Sequence, residues 1–166
     1  MKTVVVLAMH GSLPNDFPKE DLREFFALHG HQRHGEVVSA NRYAELEEKL
    51  RRWPRTAEND LYHAASCELA CAVSAESGYE VKVGFNEFCA PDIDEALAQA
   101  VNNGADQIIV ASTMITRGGE HAEQEISRAV SLGKQRYPNT EIIYAWPFET
   151  VDIARFLVGH INKFTT

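Results

Sequence analysis

Four short stretches of the chain are apolar in patterns that predict strands. Residues 4–8 and 108–111 are unbroken aliphatic runs. Residues 81–85 alternate, with Val81, Val83 and Phe85 around Lys82 and Gly84, and residues 141–146 contain Ile142, Ile143 and Tyr144. Continuous runs rich in β-branched side chains predict strands buried on both faces, as in a parallel sheet.

Elsewhere the apolar positions recur at helical spacing. In residues 60–77, Leu61, Ala64, Ala65, Leu69, Ala72 and Val73 trace one helical face, and Gly78 ends the pattern. Asp92 caps a helix carrying Ala96, Leu97, Ala100 and Val101, with Gly104 at its end. A third helix is expected over 119–136 and a fourth over 151–164. Strand and helix in alternation predict an α/β fold: a three-layer, open parallel sheet of about four strands, order 2-1-3-4, with right-handed crossovers. Residues 13–59 break the rhythm. They hold a short helix (19–28), a polar turn with His29, His31 and His34, a charged helix (41–52) and the stop Trp53-Pro54-Arg55-Thr56. This stretch is expected to be a helical insertion in the first crossover of a single domain spanning 1–166.

Composition then narrows the class. A chain of 166 residues suits one core, and 45% hydrophobic with 24% charged residues is an ordinary globular balance. No apolar run nears the ~20 residues of a membrane helix, and the first run is too short for a signal-peptide core. A cytoplasmic protein with no membrane partner is expected. The net charge of −8 argues against a nucleic-acid partner and repels polyanions at long range. An anionic substrate would therefore need a local basic patch. The three cysteines make no disulfide framework. Cys67 and Cys71 share a helical face and are read as small buried side chains, with a soft-metal pair as the lesser alternative.

In a sheet of this order the loops after the first three strands converge, and ligands bind at such a point. Those loops carry Met9-His10-Gly11-Ser12, Asn86-Glu87-Phe88 and Thr116-Arg117-Gly118-Gly119-Glu120-His121. Two imidazoles and a carboxylate suit a late first-row metal, and few ligands suit an ion that must be handed on. Gly11 permits a sharp turn behind His10. Gly118 and Gly119 allow backbone to approach a flat ligand, and the helix start beyond them offers amides to carboxylates.

At these residues the chain resembles the CbiX-type sirohydrochlorin chelatases of the class II chelatase superfamily. The resemblance rests on His10-Gly11-Ser12 after the first strand and on Glu87, Pro91 and Glu95-Ala96-Leu97 after the second. After the third come Gly119-Glu120-His121 and, four residues on, Glu125-Ile126. It covers residues 2–12 and 79–161. Glu125 stands where the family usually has Asp, and the 13–59 insertion is absent from its shortest members. The resemblance implies that His10 and His121 are metal ligands and proton acceptors, with Glu87 a supporting acid/base or ligand. The substrates would be a tetrapyrrole and a divalent metal: Co2+ first, Ni2+ or Fe2+ as alternatives. It implies no ATP, no organic cofactor and a homodimer. Ser12, Arg117, Gly118 and Gly119 are the expected substrate contacts. Arg51, Arg52 and Arg55 either add to the basic patch or are plain surface groups. His29, His31 and His34 are either a metal-loading site or a polar loop.

The main rival is a metal- or tetrapyrrole-binding protein without catalysis on the same fold. Arg33-His34-Gly35 resembles a histidine phosphatase motif, but it does not follow a strand. A receiver domain needs an acidic pair where His10 stands.

Overall fold

The computed structural model describes residues 1–33 and 40–165. The strands are β1 (Thr3–Met9), β2 (Glu80–Phe85), β3 (Gln107–Ser112) and β4 (Glu141–Tyr144). They form one sheet in the order β2-β1-β3-β4, and every pair is parallel, as the sequence pattern predicts. The register sets Met9 beside Phe85 and Ala8 beside Ser112, so the first three strands finish together at one edge. β4 ends two residues earlier than expected, although the Ala145 N–H still donates to Val110 O at 2.8 Å.

The helices are α1 (Lys19–Arg33), α2 (Ala40–Arg51), α3 (Leu61–Ser77), α4 (Ile93–Asn102), α5 (Ile126–Arg136) and α6 (Thr150–Ile161). A π-helical turn, His121–Glu125, leads into α5. Caps fix two of the starts. Asp60 accepts from the His63 N–H at α3, and Asp92 with Glu95 closes a capping box at α4.

The main core lies between one sheet face and helices α4 and α5. Val4, Val6, Ala8, Ile108, Val110 and Ile142 meet Ile93, Ala96, Leu97, Ile126 and Val130 there. On the other face Leu7, Met9 and Phe85 pack with Ala70 of α3. The insertion has its own small core of Phe17, Phe25, Leu46 and Leu50, with Phe88 of the β2 loop against it.

Three expectations change. α1 runs on past residue 28, so His29 is helical and not in a turn. A glycine in a helix costs only about 1 kcal/mol, and His29 stacks on Phe25 and Tyr43, which holds this turn of helix in place. His34 and the Arg33-His34-Gly35 motif fall largely outside the described residues. Cys67 and Cys71 are exposed, because α3 buries only Ser66 and Ala70; Cys89 is buried. Among the described residues no helix is long and apolar enough to cross a membrane.

Candidate metal centre

The chain brings His10, Glu87 and His121 together at the carboxyl edge of the sheet. Beyond the strands proper, backbone pairing continues: Asn86 N–H donates to Met9 O, and Glu87 N–H to His10 O, each at 2.8 Å. That extension seats Glu87 directly beside His10. Gly11 then turns the chain away at φ +105°, a conformation that disfavours any side chain. His121 arrives from the third loop as the first residue of the π turn, where its carbonyl accepts from the Ile126 N–H. Such turns recur at functional sites because they displace a side chain from the helical path.

The donor atoms of the three residues lie within 4.8 Å of one another. His10 Nε2 is 3.8 Å from Glu87 Oε2, and the imidazoles meet edge to face with centroids 4.7 Å apart. All three side chains are partly exposed, so an ion and a larger partner can reach them. His10 Nδ1 lies 2.9 Å from the Gly11 carbonyl. A carbonyl only accepts, so Nδ1 carries the proton and Nε2 is left to ligate. His121 Nδ1 lies 2.6 Å from Glu125 Oε2, and Asn86 donates its amide to the same oxygen. Two nitrogens and an oxygen with open positions fit cobalt, nickel, iron or zinc.

The other expected site residues have varied placements. Ser12 donates its hydroxyl to Asp60, the cap of α3. Arg117, Gly118 and Gly119 lie on an exposed loop, with Gly118 N–H donating to Glu123 at 2.6 Å. The three insertion arginines are each paired with carboxylates of the same chain. Arg51 binds Asp92 at 2.7 Å and Glu95 at 3.2 Å, and Arg52 binds Glu48 and Glu95.

Arg55 is buried against Asp60, with side chains 5% and 1% exposed. It also donates to the carbonyls of Ser12, Leu50 and Phe88 at 2.7–3.0 Å, binding the first loop, the insertion and the second loop to one another. Burial raises the Asp60 pKa, but bonds from Ser12, the His63 N–H and Arg55 outweigh it and hold the carboxyl below its usual value.

A cavity of about 390 Å3 opens beside Glu87, between the insertion and helix α5. Phe25, His29, Tyr43, Glu47, Glu125 and Arg128 are among its walls. Tyr43 Oη is 3.0 Å from His29 Nδ1, and burial, reinforced by Glu47 and Glu87, pushes its hydroxyl up to about 12. His29 is thus engaged with an aromatic wall, while the side chain of His31 and all of His34 lie outside the described residues. Neither Glu125 nor Asn86 stands out in the sequence as a site residue. The signal for Glu125 was its place four residues after His121, the spacing at which helical side chains meet.

A sirohydrochlorin ferrochelatase from Priestia megaterium is 28% identical over 83 residues, 49% of this chain and 31% of that protein. A sirohydrochlorin cobaltochelatase from Methanopyrus kandleri is 35% identical over 52 residues, 31% of this chain and 36% of that protein. The matched stretches thus span about a third of each relative's length. Two solved structures are also similar. The sirohydrochlorin chelatase SirB from Bacillus subtilis subspecies spizizenii, in complex with cobalt, aligns with TM-score 0.46 and 20% identity over 89% of this chain and 44% of SirB. A CbiX cobalamin biosynthesis protein from Marinobacter aquaeolei aligns with TM-score 0.44 and 15% identity, over 98% of this chain and 99% of that one. The sequence profile of the CbiX family matches residues 55–154, from the end of the insertion through Glu87 and His121 into α6. A match over more than half of the chain, carrying two of the three clustered donors, makes this protein a member of the CbiX family.

Proposed function

We propose that the protein is a chelatase that inserts a divalent metal into a sirohydrochlorin-type tetrapyrrole, as cobalamin or siroheme synthesis requires. The observation that carries this reading is the cluster of His10, Glu87 and His121 at one open edge. The metal is substrate: Co2+ is the first choice, with Ni2+ and Fe2+ the alternatives, and an N2O donor set accepts all three. Insertion replaces two pyrrole N–H protons with one M2+, so the site must release an ion and accept two protons. His10 and His121 hold the ion through Nε2. Glu87, within reach of His10, is the third ligand and takes one proton as the ion leaves, and the His10 imidazole, freed of the ion, takes the other. The exchange balances without ATP or an organic cofactor.

Arg117, on the exposed third loop, is the group we assign to the anionic rim of the macrocycle, with Gly118 and Gly119 giving its flat face room. A homodimer belongs to the same reading. α6 buries none of its residues, and Val151, Leu157, Val158 and Ile161, on one side of it, are 47–54% exposed, an apolar face that a second copy would cover. The test is insertion by purified protein of Co2+, Ni2+ and Fe2+, each supplied separately with sirohydrochlorin and followed by absorbance. A rate above the spontaneous one for at least one metal supports the proposal. Metal or macrocycle binding with no acceleration would make this a binding protein.

A further inference from the structure

We propose that Glu125 is a positioning residue that selects the ring tautomer of His121; the inference rests on reading His10, Glu87 and His121 as the metal site. An imidazole has two neutral tautomers of similar energy, and only one offers its outward nitrogen to an ion. His121 Nδ1 has two neighbours, Glu125 Oε2 at 2.6 Å and Asn86 Nδ2 at 3.0 Å. Asn86 donates to the same Glu125 oxygen. A carboxylate oxygen accepts from both, so the consistent assignment has two donors, the His121 Nδ1–H and the Asn86 amide, converging on one acceptor. Nε2 of His121 is then the unprotonated nitrogen, left to ligate an ion.

The carboxylate is fixed from two sides. Glu125 sits in the same π turn as His121, and Asn86 is pinned by its N–H bond to Met9 O at 2.8 Å. The device matches that at His10, where the Gly11 carbonyl takes the Nδ1 proton. One histidine is thus oriented by backbone and the other by a side chain that mutation can remove. Outer partners of this kind alter metal affinity by about 10–100-fold when lost.

The test uses metal-free protein and Co2+ alone. Ring 15N spectra of wild-type protein are expected to show His121 as the Nδ1–H tautomer. In Glu125→Leu and Glu125→Ala the Nε2–H form should appear and Co2+ affinity should fall about 10–100-fold. Glu125→Gln keeps an acceptor oxygen and should recover most of both. The Glu125 side chain is 38% exposed, so its truncation spares the core, and two truncations guard against one that fails to fold. An unchanged tautomer in the truncations, or Co2+ affinity within about twofold of wild type, would overturn the assignment. Neither readout needs the macrocycle, so a protein that shows both effects yet inserts no metal would count against the chelatase reading alone.

Discussion

The backbone carbonyl of Glu87 occupies the space that a side chain on Gly11 would need. A Cβ there would lie 1.9 Å from that oxygen, at a φ of +105°. The close approach lets the first and second loops bring His10 and Glu87 together. Gly11→Ala is therefore expected to cost roughly 3 kcal/mol, from backbone strain plus overlap with a fixed carbonyl. Chemical denaturation measures the loss, and Co2+ titration should show weakened binding in whatever remains folded. Unchanged stability would mean that the two loops can part freely.

Arg55 and Asp60 form a buried pair that ties the insertion to the first loop. Arg55→Leu strands a buried carboxylate and should cost about 3–5 kcal/mol. The double variant Arg55→Leu/Asp60→Asn should recover part of that, because no uncompensated charge remains. Equal losses in the single and double variants would contradict the pairing.

Acid should act on the same pair. The Asp60 carboxyl lies below its ordinary value of 3.8 in the folded chain, since bonds from Ser12, His63 N–H and Arg55 overcome the opposing effect of burial. A depressed folded value contributes stability that is present above the unfolded value, near pH 4, and is lost as pH falls through the folded value. Asp60→Asn should therefore be less stable than wild type at neutral pH, with the difference shrinking below about pH 4. Denaturation curves at pH 7 and pH 3 decide it; a constant gap would contradict it.

The bare face of α6 predicts self-association. Val158 is 52% exposed on that face, and Val158→Asp places a charge where a second copy would pack. Wild-type protein should sediment as a dimer and the variant as a monomer, with little loss of monomer stability because the side chain is outside the core. A monomeric wild type would contradict the dimer.

Much of this architecture is legible in the sequence, for identifiable reasons. The strand order 2-1-3-4 follows from four apolar runs separated by helical spacing, and strand ends fall within two residues of expectation. That His10, Glu87 and His121 cluster is legible because each follows a strand closely or opens the helix after it. What escaped depends on tertiary contacts. Arg55, after Trp-Pro, reads as a surface or basic-patch charge, yet the carbonyls of Ser12 and Phe88, far away in the chain, join three nearby acceptors around it. The extension of α1 through His29 comes from aromatic packing that local propensity does not encode. The exposure of Cys67 and Cys71 reflects how little of α3 the sheet covers. The π turn at His121 has no pattern of its own in the residues that form it.

On the reading proposed above, His10 and His121, meeting across one rim of the sheet, deliver a metal ion to a tetrapyrrole. The direct measurement is the rate of Co2+ insertion into sirohydrochlorin by wild-type protein, His10→Ala and His121→Ala, with folding of each verified by circular dichroism. The expected result is acceleration by wild type and a fall to the spontaneous rate in both variants. Wild-type rates in both folded variants would contradict it.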